Sequence, residues 1–292
     1  MAKLRYPQFT REEIGNIVKA SVPYNAGGLS LYRPPYYEGL AGQSLTLRYD
    51  NGRVLKYAFK DDHSLVWEDG NDGQPREEYY EALLADENVV FFEHIVKDSF
   101  PQQAFITVLE LDTRLVTTFF SVIGNEVSTR EVDRDIVFGF IDDGSAAPSA
   151  RHSLTTELVG RSIIWTYSPT FSIQHIYASK WYSAFVDFNS FYGGMLLSSP
   201  CNYVKINDHV YIYSWVETEG AGVQGFALMN LYDMHDVGCF FGINGSSRFE
   251  CYTFGAHGKY VGQLTNFDIP NDHAVDYPWP PVRNEKKEGV QS

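Results

Sequence analysis

Between residues 39 and 267 the chain is a succession of short runs in which apolar residues tend to recur at every second position. SLTLRY (44–49), RVLKYAF (53–59), NVVFFEHIV (88–96), AFITVLEL (104–111) and LVTTFFSVI (115–123) come first. SIIWTY (162–167), SIQHIYA (172–178), HVYIYSWVE (209–217), VQGFALMNL (223–231), DVGCFFGI (236–243), RFECYTF (248–254) and KYVGQLTNF (259–267) follow. A period of two puts successive side chains on opposite faces of an extended backbone, and β-branched and aromatic residues suit that pleated surface. Turn residues separate the runs, as in DNG at 50–52, DDHS at 61–64 and DTR at 112–114. Asp-Asn-Gly between two such runs is a strong hairpin signal. Two segments read as helix instead. In the first twenty residues Thr10 is a plausible N-cap, Glu13 follows three positions later, and Ile14, Ile17 and Val18 share a face. A second, interrupting helix is expected over 77–85.

The two halves repeat one another. GLAGQSLTLRYDNG (39–52) matches ELVGRSIIWTYSPT (157–170), with Gly42 on Gly160 and Tyr49 on Tyr167. Residues 103–122 match 224–243, pairing Gln103, Phe105, Asp112, Val116, Phe119 and Phe120 with Gln224, Phe226, Asp233, Val237, Phe240 and Phe241. Preserved order implies a duplicated antiparallel unit. Some seven to nine strands in meander order close best into a barrel, which removes exposed edges. The expected fold is therefore all-β, with two calycin- or lipocalin-like antiparallel barrels and a short N-terminal helix. The expected divisions are an N-terminal helix and loop (1–38), a first barrel (39–141), a polar linker (142–156), a second barrel (157–267) and a Pro-rich, charged tail (268–292).

Composition narrows the function. The net charge is −14, from 23 Lys and Arg against 37 Asp and Glu, which argues against a nucleic-acid or anionic-membrane partner. No apolar run approaches the roughly 20 residues of a spanning helix, and the N-terminus lacks the apolar core of a signal peptide. Three cysteines without a CxxC give no disulfide framework. A cytoplasmic location is expected, and self-association into a homodimer stays open. Aromatics make up 15% of the chain, enough to line a cavity that stacks on a flat ligand. No HExxH, HxH or CxxC supplies metal spacing, and neither GxSxG nor a Walker A motif occurs. No metal and no cofactor are expected.

The first repeat, GLAGQSLTLRYDNGRVLKYAF with LELDTRLVTTFFSVIGN, resembles the MoaF-like family, named for molybdenum-cofactor biosynthesis. The second, with HVYIYSWVETEGAGVQGFALMNLYD and GSSRFECYTFGAHG, resembles that family's C-terminal domain. The second repeat is also similar to phenolic acid decarboxylases, calycin barrels with a Tyr-x-Tyr pair, a catalytic Arg and a Glu in a Ser-Trp-x-Glu context. Trp165 and Tyr167 stand at the aromatic pair, and Ser214, Trp215, Val216 and Glu217 match the Glu context. The equivalent stretch for the Arg, 192–204, contains none.

The resemblance implies a metal-free lyase- or isomerase-like enzyme, with Glu217 transferring a proton and Tyr167 orienting a small aromatic ligand. The alternative is a non-catalytic binding or accessory protein for a pterin-like ligand of molybdenum-cofactor metabolism. Tyr211, Tyr213, Trp215 and Glu217 share one strand face. A carboxylate among aromatics is desolvated and suits acid/base work, whereas a solvated Glu at a strand end does nothing of the kind. Trp165 and Tyr167 share a face and read as ligand wall or as ordinary barrel core. His94 aligns with Trp215 and reads as a group titrating between pH 5 and 8 or as a satisfied core histidine. Arg248, Glu250 and Tyr252 share a face and form either an interior polar cluster, with Arg248 as the missing cation, or an exterior stripe.

Overall fold

The computed structural model describes residues 12, 13, 16, 17, 29–97, 99, 101–123, 132–189, 193–217, 222–244 and 248–263. Of the N-terminal helix, Glu12, Glu13, Asn16 and Ile17 are helical; Thr10, Ile14, Val18 and the tail from 268 lie outside the described residues.

A 3-10 turn, Glu38–Leu40, leads into β1 (Ser44–Tyr49), β2 (Val54–Phe59), β3 (Ser64–Asp69), β4 (Arg76–Asp86), β5 (Val89–Val96), β6 (Gln102–Glu110), β7 (Leu115–Ile123) and β8 (Val132–Ile141). These pair in chain order, and β8 returns to β1 to close a barrel. A short strand, β9 (Ser153–Leu154), lies in the segment expected as a linker and pairs with Val204 and Lys205 of the second unit. The second unit comprises β10 (Arg161–Ser168), β11 (Phe171–Ile176), β12 (Tyr182–Asp187), β13 (Leu196–Lys205), β14 (Val210–Val216), β15 (Val223–Asn230), β16 (His235–Ile243) and β17 (Phe249–Gln263). It closes as a second antiparallel barrel because β13 pairs with β12 through its first half and with β14 through its second. The duplicated two-barrel, all-β architecture is thus the one expected.

The helix expected over 77–85 is strand β4. In its sequence, REEYYEALLAD, Tyr80 and Ala82 point into the first barrel while Glu81 and Leu83 point out of it. Good helix formers such as Glu, Ala and Leu lose here to the tertiary demand for a strand between β3 and β5.

Each barrel has its own interior. Leu47, Tyr57, Phe59, Trp67, Tyr80, Phe92 and Phe105 fill the first. Trp165, Tyr177, Tyr203, Tyr213, Trp215 and Phe254 belong to the second. A third apolar layer lies between the barrels, where Phe91 and Phe119 of the first pack on Phe226 of the second at ring distances of 5.5 and 5.1 Å. Strands such as β6, β14 and β15 are consequently buried on both faces, which is why their sequences read as nearly continuous apolar runs.

The duplication holds hairpin by hairpin, but one residue-level match slips. Glu110 faces Leu115 across the β6–β7 turn, and Asn230 faces His235 across the β15–β16 turn. Arg114 and Met234, just before the second strand of each hairpin, share the left-handed conformation at φ 62 and 53°. The true counterpart of Arg114 is therefore Met234, one residue short of the identity-based alignment. Because side chains alternate, that one step inverts faces. Val116 lies in the first interior but Val237 in the seam, and Phe119 lies in the seam while Phe240 is interior. The earlier match stands: Gly42 and Gly160 both have positive φ (77 and 88°), and Tyr49 and Tyr167 both point inward.

Candidate site in the second barrel

Strand β14 sends Tyr211, Tyr213 and Trp215 inward and Ile212 and Val210 to the seam. Ser214 also turns away from the interior, donating to the Gly225 carbonyl at 3.0 Å and accepting from Gln224 at 3.2 Å. Tyr213 and Trp215 stack at 4.6 Å and 15°. Trp215 has room because its cross-strand partner is Gly225, where an added Cβ would come within 2.2 Å of the indole. Trp165 sits over Gly258 in the same way, with 2.5 Å to a hypothetical Cβ. Its indole N–H donates to the Tyr177 hydroxyl at 3.1 Å, which in turn donates to Met229 Sδ. Tyr167 meets Phe171 and Phe254 edge to face.

The expected residues fall into separate places. Trp165, Tyr167, Tyr213, Trp215 and Tyr252 all line the second interior. Glu217 is half-buried just beyond β14, and its charge acts on Tyr213 and Tyr252. Glu250, half-buried, accepts from Asn244 at 2.7 Å, and burial raises its pKa; it too acts on Tyr252. Glu217, Glu250 and Tyr252 thus gather around one region. Tyr167 instead lies under the influence of Asp236, Tyr177 and Tyr213. Arg248 is exposed before the start of β17, so it does not supply an interior cation. His94 is buried in the first barrel beside Trp67 and Phe105, 3.2 Å from the Tyr57 hydroxyl. Burial lowers its pKa to about 3, so it is a neutral core histidine and does not titrate between pH 5 and 8.

Residues the sequence did not single out complete the site. Asp236 on β16 shares the inward face of Phe240, and His175 on β11 packs against Tyr213 and Trp215 at 5.1 and 5.5 Å. Burial pushes the Asp236 carboxyl well up and lowers His175 to about 3. Ser183 shares a 2.7 Å hydrogen bond with the Tyr213 hydroxyl. Several buried polar atoms have no hydrogen-bond partner among the described residues: Trp215 Nε1, Tyr203 Oη, His175 Nδ1, Ser199 Oγ and both oxygens of Asp236. The signal was available in DVGCFFGI and SIQHIYA, where period two puts Asp236 with Phe240, and His175 with Ile173 and Tyr177.

A separate cavity of ≈ 590 Å³ opens where turns of the two barrels meet, lined by Asp86, Glu110, Asp112, Asp208, His209 and Asp233 among others. Among the described residues no group of three His, Cys, Asp or Glu side chains is arranged to hold a metal ion. Nor is any helix among them long and apolar enough to cross a membrane.

These features define a class: a duplicated antiparallel barrel protein whose second interior combines aromatic walls with unpaired polar atoms. Residues 25–125 match the MoaF N-terminal domain and residues 152–264 the MoaF C-terminal domain, and the chain belongs to the MoaF family. Protein MoaF of Klebsiella aerogenes is 27% identical over 143 residues, an alignment covering 49% of this chain and 48% of that protein. The match therefore spans about half the length of that relative. A solved structure from Burkholderia vietnamiensis, described as a candidate beta-lactamase, aligns with 37% of this chain and 100% of its own at 9% identity and a TM-score of 0.32.

Proposed function

We propose that this protein is a binding or accessory protein of molybdenum-cofactor metabolism whose second barrel holds a small, flat, pterin-like ligand. The observation that carries the reading is the set of unpaired polar atoms inside that barrel, Trp215 Nε1, Tyr203 Oη, His175 Nδ1 and Ser199 Oγ, among aromatic walls. Buried polar groups are normally hydrogen-bonded, so a cluster without partners suits a ligand that supplies them. In the first interior Trp67 Nε1 and His94 Nδ1 are such atoms. In this reading Trp165, Tyr167, Tyr213, Trp215 and Tyr252 form the ligand walls, and Glu217 and Glu250 receive polar substituents. The lyase alternative gains no support: the decarboxylase arginine has no counterpart in 192–204, and Arg248 is exposed.

The test is native mass spectrometry of the chain purified from its own cells, followed by titration with pterin read through tryptophan fluorescence. The expected result is a co-purified mass released on denaturation and quenching by pterin. Trp215→Phe keeps an aromatic ring but removes the indole donor, and is expected to weaken pterin binding by roughly threefold to tenfold. Ligand located in the inter-barrel cavity, or no response to pterin, overturns the reading.

A further inference from the structure

We infer that Asp236 reads the edge of the second barrel's ligand, and that this edge carries two adjacent N–H donors, as in the amino-pyrimidinone ring shared by pterins and guanine. The inference rests on the second barrel being the binding site. Asp236 is 1% exposed and points inward from β16, beside Tyr167 and Tyr177. Neither carboxyl oxygen has a partner at full hydrogen-bond geometry among the described residues; the Tyr167 hydroxyl and the Ala256 backbone lie close enough to favour its ionised form weakly, and burial outweighs both. Four other buried carboxylates differ: Glu78 accepts from the Lys97 amide, Glu81 from Tyr36 and Tyr79, Glu93 from Cys251, and Glu110 from Thr113. Among the described residues no cation answers Asp236. Burial raises its pKa, against the smaller lowering effects of the Ala256 backbone and Tyr167.

A carboxyl in this position is costly unless something supplies donors to both oxygens. Two parallel N–H groups spaced as on an amidine-like edge match the two oxygens of one carboxylate, the geometry that makes bidentate pairs strong. The neighbouring walls are flat rings, Tyr167 against Phe254 and Trp165 against Tyr177, which suits a planar heterocycle entering edge-first. Two N–H donors favour the ionised carboxylate over the protonated form that burial alone imposes; an apolar ligand would leave both oxygens unpaired, and a ligand presenting a carbonyl would set acceptor against acceptor once the group is ionised.

The experiment compares four probes on the full chain by calorimetry and tryptophan fluorescence. Pterin and guanine carry the amino-pyrimidinone edge; lumazine and xanthine replace its amino group by a carbonyl. The expected result is binding of pterin or guanine at least about tenfold tighter than of its dioxo counterpart, because a site built for a donor rejects the analogue lacking it. The tighter of pterin and guanine identifies the source of the edge. Asp236→Asn is expected to bring the ratio to within about threefold, since the amide offers one acceptor and one donor in place of two acceptors. Equal binding of all four probes, or discrimination surviving in Asp236→Asn, overturns the inference while leaving the barrel as the site. Failure of all four to bind overturns it together with the barrel reading. Should the variant not fold, a structure of the wild-type chain with pterin decides: the amino edge against Asp236 supports the inference, and any other orientation overturns it.

Discussion

Single residues show how one fold became two different interiors. His94 and Phe105 are cross-strand partners in the first barrel, and Trp215 and Gly225 are partners at the equivalent place in the second. The pair exchanges a medium and a large ring for a very large ring and none. Adding a methyl group at Gly225 would drive it into the indole. Gly225→Ala is therefore expected to destabilise the protein by about 1–3 kcal/mol through overpacking. Denaturant unfolding followed by tryptophan fluorescence measures this, and a loss below the error of the midpoint would show that Trp215 can move aside. His94 was legible in the sequence as an inward residue, since its parity matches Phe92. Its protonation was not, because the local sequence carries no record of the Trp67 and Phe105 rings that exclude water from it.

At the scale of strands, β4 and β5 carry an unusual pair on their outward face. Glu81 and Glu93 are direct register partners, and both are buried against the second barrel. Glu81 receives Tyr36 at 2.6 Å, Tyr79 at 3.1 Å, Arg33 at 3.5 Å and the Thr253 hydroxyl. Among the described residues Glu93 receives only the Cys251 thiol at 3.5 Å, with Cys239 nearby. Burial, with the Glu81 charge adding to it, raises Glu93 to about 8. The folded protein thus holds a proton on Glu93 that the unfolded chain releases above about 4.5. Its contribution is full below that value and is lost as pH rises to about 8, at up to ~1.4 kcal/mol per pH unit. His94 and His175, lowered to about 3, act in the opposite sense, but only below their unfolded value near 6.5. Between pH 6.5 and 8 the Glu93 slope is free of them. Glu93→Gln is expected to gain stability relative to the wild type across that window, as measured by urea unfolding at several pH values. A constant difference would mean that Glu93 is already ionised at neutral pH.

For the whole molecule, the seam between barrels matters as much as either interior. Phe226 sits between Phe91 and Phe119, and Ser121 donates to Gln224 across the seam at 2.5 Å. His209 lies 2.7 Å from Asp86, and Asn230 donates to the Ala85 carbonyl at 3.2 Å. Neither half can keep this apolar face in water. Residues 1–150 and 151–292 produced separately are expected to aggregate, and to form a soluble pair only when produced together, as size-exclusion chromatography would show. Phe226→Ala in the intact chain is expected to cost about 3–5 kcal/mol, the range for a buried Phe. Soluble, monomeric halves would mean that the seam is dispensable.

The amino-acid sequence alone determined most of the strand content, the hairpins, the duplication and which residues of β10 and β14 share a face, because period-two patterning and turn chemistry are local. It grouped Trp165 with Tyr167 and Tyr213 with Trp215 on shared strand faces, and left open whether Tyr252 faced inward or outward; the structure puts all five in the second interior. What only the tertiary structure decided depends on neighbours distant in sequence. REEYYEALLAD became a strand because β3 and β5 flank it. The repeat match at 103–122 moved by one residue because turn geometry, rather than residue identity, sets register. The seam, with its buried Glu81 and Glu93, and the unpaired carboxyl of Asp236 arise where chain segments meet in space, and burial, which sets the energy of each charge, is a property of that meeting.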